Sequence, residues 1–312
     1  MTEVEENLLK VPVLRQGILW SQRVILPGLN GLTLYDLLAT YVSGIIKGTF
    51  SSRASSIAYS FFMALFPFLL FILNLIPYVP IKSFQERFLV FIEIFLPPQT
   101  QEFFYPVIED IALNPRSGLL SFSIILAMFL AANGVNTIFS AFEYSVYVTI
   151  NRSFFRQYLI AVAVSVFLAL LLLLTVVLVL LGEFFIETIK GQEFINNEAF
   201  LVSALQLIIS FVLIYTIIAS LYYFGTKKQK DMKFVSIGAT VTTILFMVTT
   251  YLFGVYINNF SNYNELYGSI GALLIMMFYI WINANLLLLG FELNASIRQL
   301  KKNNFNNENH NP

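Results

Sequence analysis

Residues 158–182 read YLIAVAVSVFLALLLLLTVVLVLLG, and they contain no charged side chain. An α-helix rises about 1.5 Å per residue, so about 20 such residues cross the ~30 Å hydrocarbon core of a bilayer. Lipid offers backbone N–H and C=O groups no partner, so a segment of this composition must satisfy them internally, as a helix. The same argument applies to the runs at 54–78, 118–142, 200–225, 234–257 and 268–291. Six such runs predict an all-α polytopic membrane protein with six transmembrane helices.

Composition agrees. The chain is 58% hydrophobic and 12% charged, with a mean hydropathy of +0.76. Soluble domains carry about 25% charged residues. A formal net charge of zero gives no electrostatic footprint for nucleic acid, so the expected partner is the lipid bilayer. There is no cysteine, and the single histidine is His310, beside the C-terminus. Iron–sulfur, haem and transition-metal sites draw on those two residue types, so no cofactor or metal is expected. Residues 8–30 are interrupted by Pro12, Arg15, Arg23 and Pro27. No uninterrupted signal-peptide core is expected there, and the first membrane helix should act as its own insertion signal.

Lysine and arginine orient the chain. Lys10, Arg15, Arg23, Lys47, Arg53, Arg152, Arg156, Lys227, Lys228, Lys230, Lys233, Arg298, Lys301 and Lys302 fall on one side of the six-span plan. Lys82, Arg87, Arg116 and Lys190 fall on the other. The positive-inside rule then predicts both termini in the cytoplasm. The implied location is a bacterial inner membrane.

The pieces outside the runs divide simply. Residues 1–32 form a cytoplasmic N-terminal segment, 33–298 the six-helix domain, and 299–312 a tail. Within the domain, 33–50 read as an interfacial amphipathic helix. Thr33 and Asp36 have capping-box spacing, and Leu34, Leu37, Leu38, Tyr41 and Ile45, extended to Thr49, follow one apolar face. The extracytoplasmic loop 79–117 repeats the device with Ser83 and Glu86, ahead of Phe84, Phe88, Phe91 and Phe95 on one face. The tail from 303 holds six asparagines in ten residues and reads as disordered.

Polar side chains inside the runs carry the functional signal, because an ionisable group within a span is expensive. Two carboxylates qualify, Glu143 and Glu292, near the cytoplasmic ends of the second and sixth runs. Each follows an asparagine seven residues earlier, Asn136 and Asn285, and each directly follows a phenylalanine, Phe142 and Phe291. Seven residues are two helical turns, so each helix presents an Asn/Glu column at similar depth. The second run extends its column with Asn133, Ser140 and Tyr147. The first run opens with Arg53, Ser55, Ser56 and Tyr59 and should be broken at Pro67. Arg53 starts at the depth where Glu143 and Glu292 end, which predicts a pair with one of them. These groups either glue helices together or line a polar cavity open to the cytoplasm.

Arg53-Ala-Ser-Ser-Ile-Ala-Tyr59, leading to Phe66-Pro67, resembles the opening signature of the YihY/BrkB family of bacterial inner-membrane proteins. Tyr267-Gly-Ser-Ile-Gly-Ala272, Trp281 and the closing Leu289-Gly-Phe-Glu-Leu-Asn-Ala295 resemble its later ones. The resemblance covers roughly 35–298, with Phe291 where the family usually has a small residue. It implies a multi-pass envelope protein with six spans, a large first outer loop and cytoplasmic termini. Members were once labelled ribonuclease BN, and some are called virulence factors or transporters. A metallo-nuclease needs clustered His and Asp ligands, and this chain has no histidine outside its tail, so an enzyme is not expected.

Three functional readings follow. One is a transporter of an envelope lipid or other amphipathic solute through a cytoplasm-facing polar cavity. Another is a proton- or cation-coupled exporter using Glu143 or Glu292. The last is a non-transporting scaffold or assembly factor. The pathway candidates are Arg53, Tyr59, Pro67, Asn133, Asn136, Ser140, Glu143, Asn285 and Glu292.

Overall fold

The computed structural model describes residues 19–25, 33–47, 49–78, 89, 105–106, 109–111, 113–114, 116–145, 153–189, 198–226, 234–259 and 269–310. Seven long helices stand among them: α1 (Leu34–Lys47), α2 (Phe50–Leu75), α3 (Ser117–Glu143), α4 (Phe154–Ile189), α5 (Glu198–Gly225), α6 (Ile237–Asn259) and α7 (Ser269–His310). The described residues contain no named strand, only an isolated bridge between Ile25 and Thr33. Five helical segments are long and apolar enough to cross a membrane: Ser117–Glu143, Phe154–Leu171, Leu207–Gly225, Ile237–Ile257 and Leu273–Lys302. The protein is an all-α membrane protein.

The first apolar run is α2, whose 26 residues reach about 39 Å. It is not among those five segments, so the count of six spans stands as an expectation. The expected break at Pro67 is overturned, because α2 runs through it without interruption. A proline removes one backbone hydrogen bond, and a membrane helix tolerates that where its surroundings satisfy the freed backbone group.

Helices α2 to α7 form a closed ring. Each packs on the next, and α7 returns to pack on α2. The buried core gathers at one end of that ring, where α2, α4 and α6 begin and α3 and α5 finish. Ala54, Phe139, Ala161, Ile218, Ala239 and Leu288 contribute one residue from each of the six helices. We call this the Arg53 end. Outward helix faces are apolar as well: Ile125, Leu159 and Tyr251 are all exposed. Apolar outward faces are what a lipid solvent selects, since burial of apolar surface gains nothing against lipid tails.

Helix α1 lies across the Arg53 end, packed on α7 and α2. Its N-terminus carries the capping box in full. The Thr33 N–H donates to Asp36 Oδ2 at 2.8 Å, and the Asp36 N–H donates to Thr33 Oγ1 at 3.3 Å. The helix ends at Lys47, short of the expected 50. Thr49 has left the apolar face for a left-handed φ of 47°, rare for a β-branched residue, at the elbow into α2. At the other end of the chain, α7 remains helical to His310, where composition predicts a disordered tail. The Ser83–Glu86 box and the phenylalanine face at 84–95 lie outside the described residues.

Candidate functional site

Arg53 sits in the first turn of α2 and is 4% exposed. Its Nη1 and Nη2 atoms both donate to Oε1 of Glu292 on α7, each at 3.0 Å. The second carboxylate oxygen, Oε2, accepts from the Ser145 hydroxyl at 2.8 Å. Glu292 is 0% exposed and Ser145 is buried. Ser145 follows the end of α3, where the chain turns at Tyr144. Three separate segments therefore meet on one carboxylate. Removing two charges from water costs several kcal/mol per ion, and mutual attraction offsets this only when further hydrogen bonds satisfy the group. Three donors on Glu292 meet that requirement.

Two flanking features enclose the pair. The rings of Phe142 and Phe291 stack with centroids 3.9 Å apart and 5° between planes. Tyr222 of α5 meets both edge-on, at 5.7 Å and 5.8 Å. The phenylalanines are those that precede Glu143 and Glu292, so the repeated Phe-Glu pairs of α3 and α7 meet through their rings. On the side of α1 stands half-buried Tyr41. Burial, and secondarily the Glu292 charge, pushes its phenol up to about 12. It therefore stays a neutral hydroxyl donor through the physiological range.

The contacts of Glu292 just described do not include the other sequence candidates. Glu143 is half-buried at the end of α3. Ser140 accepts from Gln157 Nε2 of α4 at 3.1 Å, so the lower part of the α3 polar stripe faces a helix contact. Asn133 is exposed, and Asn136 is half-buried, with an Oδ1 that meets no protein donor. Asn285 turns its amide back to the Trp281 carbonyl, 2.7 Å away on its own helix. Tyr59 is 59% exposed, and Pro67 is buried well along α2.

Sequence reasoning missed the seam between α6 and α7. The Tyr222 hydroxyl donates to the Leu287 carbonyl at 2.7 Å and lies 2.9 Å from Thr242 Oγ1. Asn294 accepts from the Gly238 N–H at 2.8 Å and donates to Ser236 Oγ at 2.9 Å. Gly238 and Gly290 let the two backbones approach. A Cβ on Gly238 would fall on the Gly290 carbonyl oxygen, and one on Gly290 would fall on Thr242 Oγ1. Two isolated glycines 52 positions apart give no warning of that contact. Ser145, a small hydroxyl just beyond a helix, gave no signal either. No cluster of potential metal ligands exists among the described residues.

The arrangement thus joins the first and last helices of the ring by a charged contact, between the signatures at Arg53 and at Gly290-Phe-Glu292. The family described as virulence factor BrkB matches residues 42–312, which include both. The chain belongs to the BrkB family. This BrkB-family chain is 31% identical to the putative ribonuclease-like protein YfkH of Bacillus subtilis (strain 168) over 256 residues, covering 80% of this chain and 91% of YfkH. It is 29% identical over 90 residues to a UPF0761 membrane protein of Psychrobacter sp. (strain PRwf-1), covering 29% of this chain and 17% of that one. A UPF0761 membrane protein of Psychromonas ingrahamii (strain DSM 17664 / CCUG 51855 / 37) is 27% identical over 92 residues, covering 30% of this chain and 32% of that one. No solved structure matches. Two of these relatives are membrane proteins by name, in keeping with the apolar helices of the BrkB-family ring.

Proposed function

We propose that this protein is a six-span inner-membrane transporter of an envelope lipid or similar amphipath, with both termini in the cytoplasm. The Arg53–Glu292 pair serves as the lock on its cytoplasmic end. The observation that carries this reading is the burial of the pair between α2 and α7. Apolar residues of similar volume would hold two helices together at least as well as a buried ion pair. A charged contact has a use that an apolar one lacks: it can be exchanged for other partners. The lock is made where α2 and α7 close the ring, and the Phe142–Phe291 stack lies beside it. A cytoplasm-facing path would have to open through that point, so the pathway candidates reduce to Arg53 and Glu292 with their immediate neighbours. Glu143, Asn133, Asn136, Ser140, Asn285, Tyr59 and Pro67 are not needed by the lock itself.

The test is reconstitution into liposomes carrying a fluorescent headgroup-labelled lipid, with a membrane-impermeant quencher reporting passage between leaflets. The wild type should move lipid faster than empty liposomes, and Glu292→Gln, which weakens the lock, should move it faster still. Equal rates for wild type, Glu292→Gln and protein-free vesicles would remove the transport reading. A scaffold would behave that way.

A further inference from the structure

We propose that Arg53 is the receptor for an oxyanion on the transported molecule, and that Glu292 is the internal anion which that group displaces. This deepens the lock described above and rests on it. A guanidinium does not deprotonate in proteins, so the positive charge of Arg53 is present in every state of the lock. Left bare at the end of the bundle it would cost several kcal/mol. An open state is therefore favoured by another anion that takes the place of Glu292 on its guanidinium.

The geometry of the closed state suits such an exchange. A guanidinium pairs best with a group offering two oxygens side by side, one for each parallel N–H. Glu292 does not offer that. Both Nη atoms converge on Oε1, while Oε2 is taken by Ser145. An incoming phosphodiester or carboxylate could present two oxygens to the same fork and make the better match. The displaced carboxylate keeps the Ser145 hydroxyl, and the Tyr41 phenol stands close enough for the two to interact electrostatically. Glu292 thus retains the Ser145 hydroxyl as it leaves, whereas the charge of Arg53 favours an anion in its place. The class of ligand is an amphipath bearing a phosphodiester or carboxylate; a neutral diacylglycerol would be a poor ligand.

Binding can be read without transport. The two tryptophans are Trp20, exposed on the N-terminal segment, and Trp281, packed against the core on α7. In a Trp20→Phe background, quenching of Trp281 by phosphatidylglycerol with brominated acyl chains reports lipid held along the bundle. Glu292→Gln, combined with Glu143→Gln to remove the other carboxylate at this end, should bind brominated phosphatidylglycerol at least about tenfold tighter than the parent, since the internal competitor is weakened. Brominated diacylglycerol should bind equally to both. Arg53→Met/Glu292→Leu, an apolar pair expected to fold, should lose the preference for phosphatidylglycerol over diacylglycerol. That double variant keeps the test open if Glu292→Gln fails to fold, because the parent alone must then show a preference that the double variant lacks. The same preference in both proteins overturns the proposal. Inorganic phosphate that displaces the lipid at equal concentration would assign the site to a free oxyanion and overturn the amphipath. Transport by the wild type without an Arg53-dependent preference leaves the transport reading standing and ends this one. Arg53-dependent binding without lipid movement does the reverse.

Discussion

Helix α7 is held on two sides by opposite chemistries. Toward α6 the seam is neutral and close: Gly238 and Gly290 bring the backbones together, Asn294 bonds across it to Gly238 and Ser236, and the Tyr222 hydroxyl of α5 reaches both helices at Leu287 and Thr242. Toward α2 the seam is marked by one buried ion pair. Hydrogen bonds between neutral groups and tight backbone contacts work only at one fixed separation. A charge pair retains attraction over distance and can be exchanged for other charges. The difference suggests that α6 and α7 move as one body, while α2 is the neighbour from which α7 can part.

Each side of that contrast can be attacked. The largest effect is expected at the charged seam. Glu292→Ala or Arg53→Ala alone should lower stability by about 3–5 kcal/mol, because each leaves a buried charge uncompensated. Arg53→Met/Glu292→Leu should recover most of it, read as thermal melting in detergent. If the double variant melts as low as either single one, the seam holds the fold in some other way and is not an exchangeable contact.

Next comes the close seam. Gly238→Ala should cost about 1–3 kcal/mol through overpacking against the Gly290 carbonyl. Gly254→Ala, whose new methyl meets nothing within 4 Å, should instead be neutral or stabilising by up to about 1 kcal/mol through helix propensity. The same two variants, measured for lipid movement, sharpen the comparison. Gly238→Ala should lower stability without raising the transport rate, whereas Glu292→Gln, which also lowers stability by leaving Arg53 uncompensated, should raise it.

Single hydrogen bonds should matter less. Tyr222→Phe removes the donor to Leu287 and should cost about 0.6 kcal/mol, a typical value for one polar contact between membrane helices. Ser140→Ala, which frees Gln157 in a half-buried contact, should cost no more than about 0.6 kcal/mol in the same melting assay. A large loss at Ser140 would reinstate the α3 stripe as part of the working site.

Much of this architecture was legible before any coordinates. Apolar runs longer than a bilayer is thick can only be helices, and charge asymmetry between loops predicts how they thread. The Thr33–Asp36 box marked the start of α1, because capping is a local interaction that four residues settle among themselves. The expectation that Arg53 would pair with a carboxylate followed from depth alone. Which carboxylate it meets could not be read. Glu143 and Glu292 sit in the same local pattern, yet one is half-buried and the other fully enclosed.

The choice between the two glutamates belongs to tertiary structure, and so do the α6–α7 seam, the Phe142–Phe291 stack and the unbroken run of α2 through Pro67. Each depends on how helices far apart in sequence are rotated and spaced, and no hydrophobic period records a helix's rotation when every face is apolar. The sequence by itself determined that this protein is a bundle of membrane helices and that a few polar groups had to be paired within it, because lipid solvates neither backbone nor charge. The tertiary structure decided which groups found one another, because partnership in a helical ring is set by packing between side chains that the chain order keeps as many as 239 residues apart.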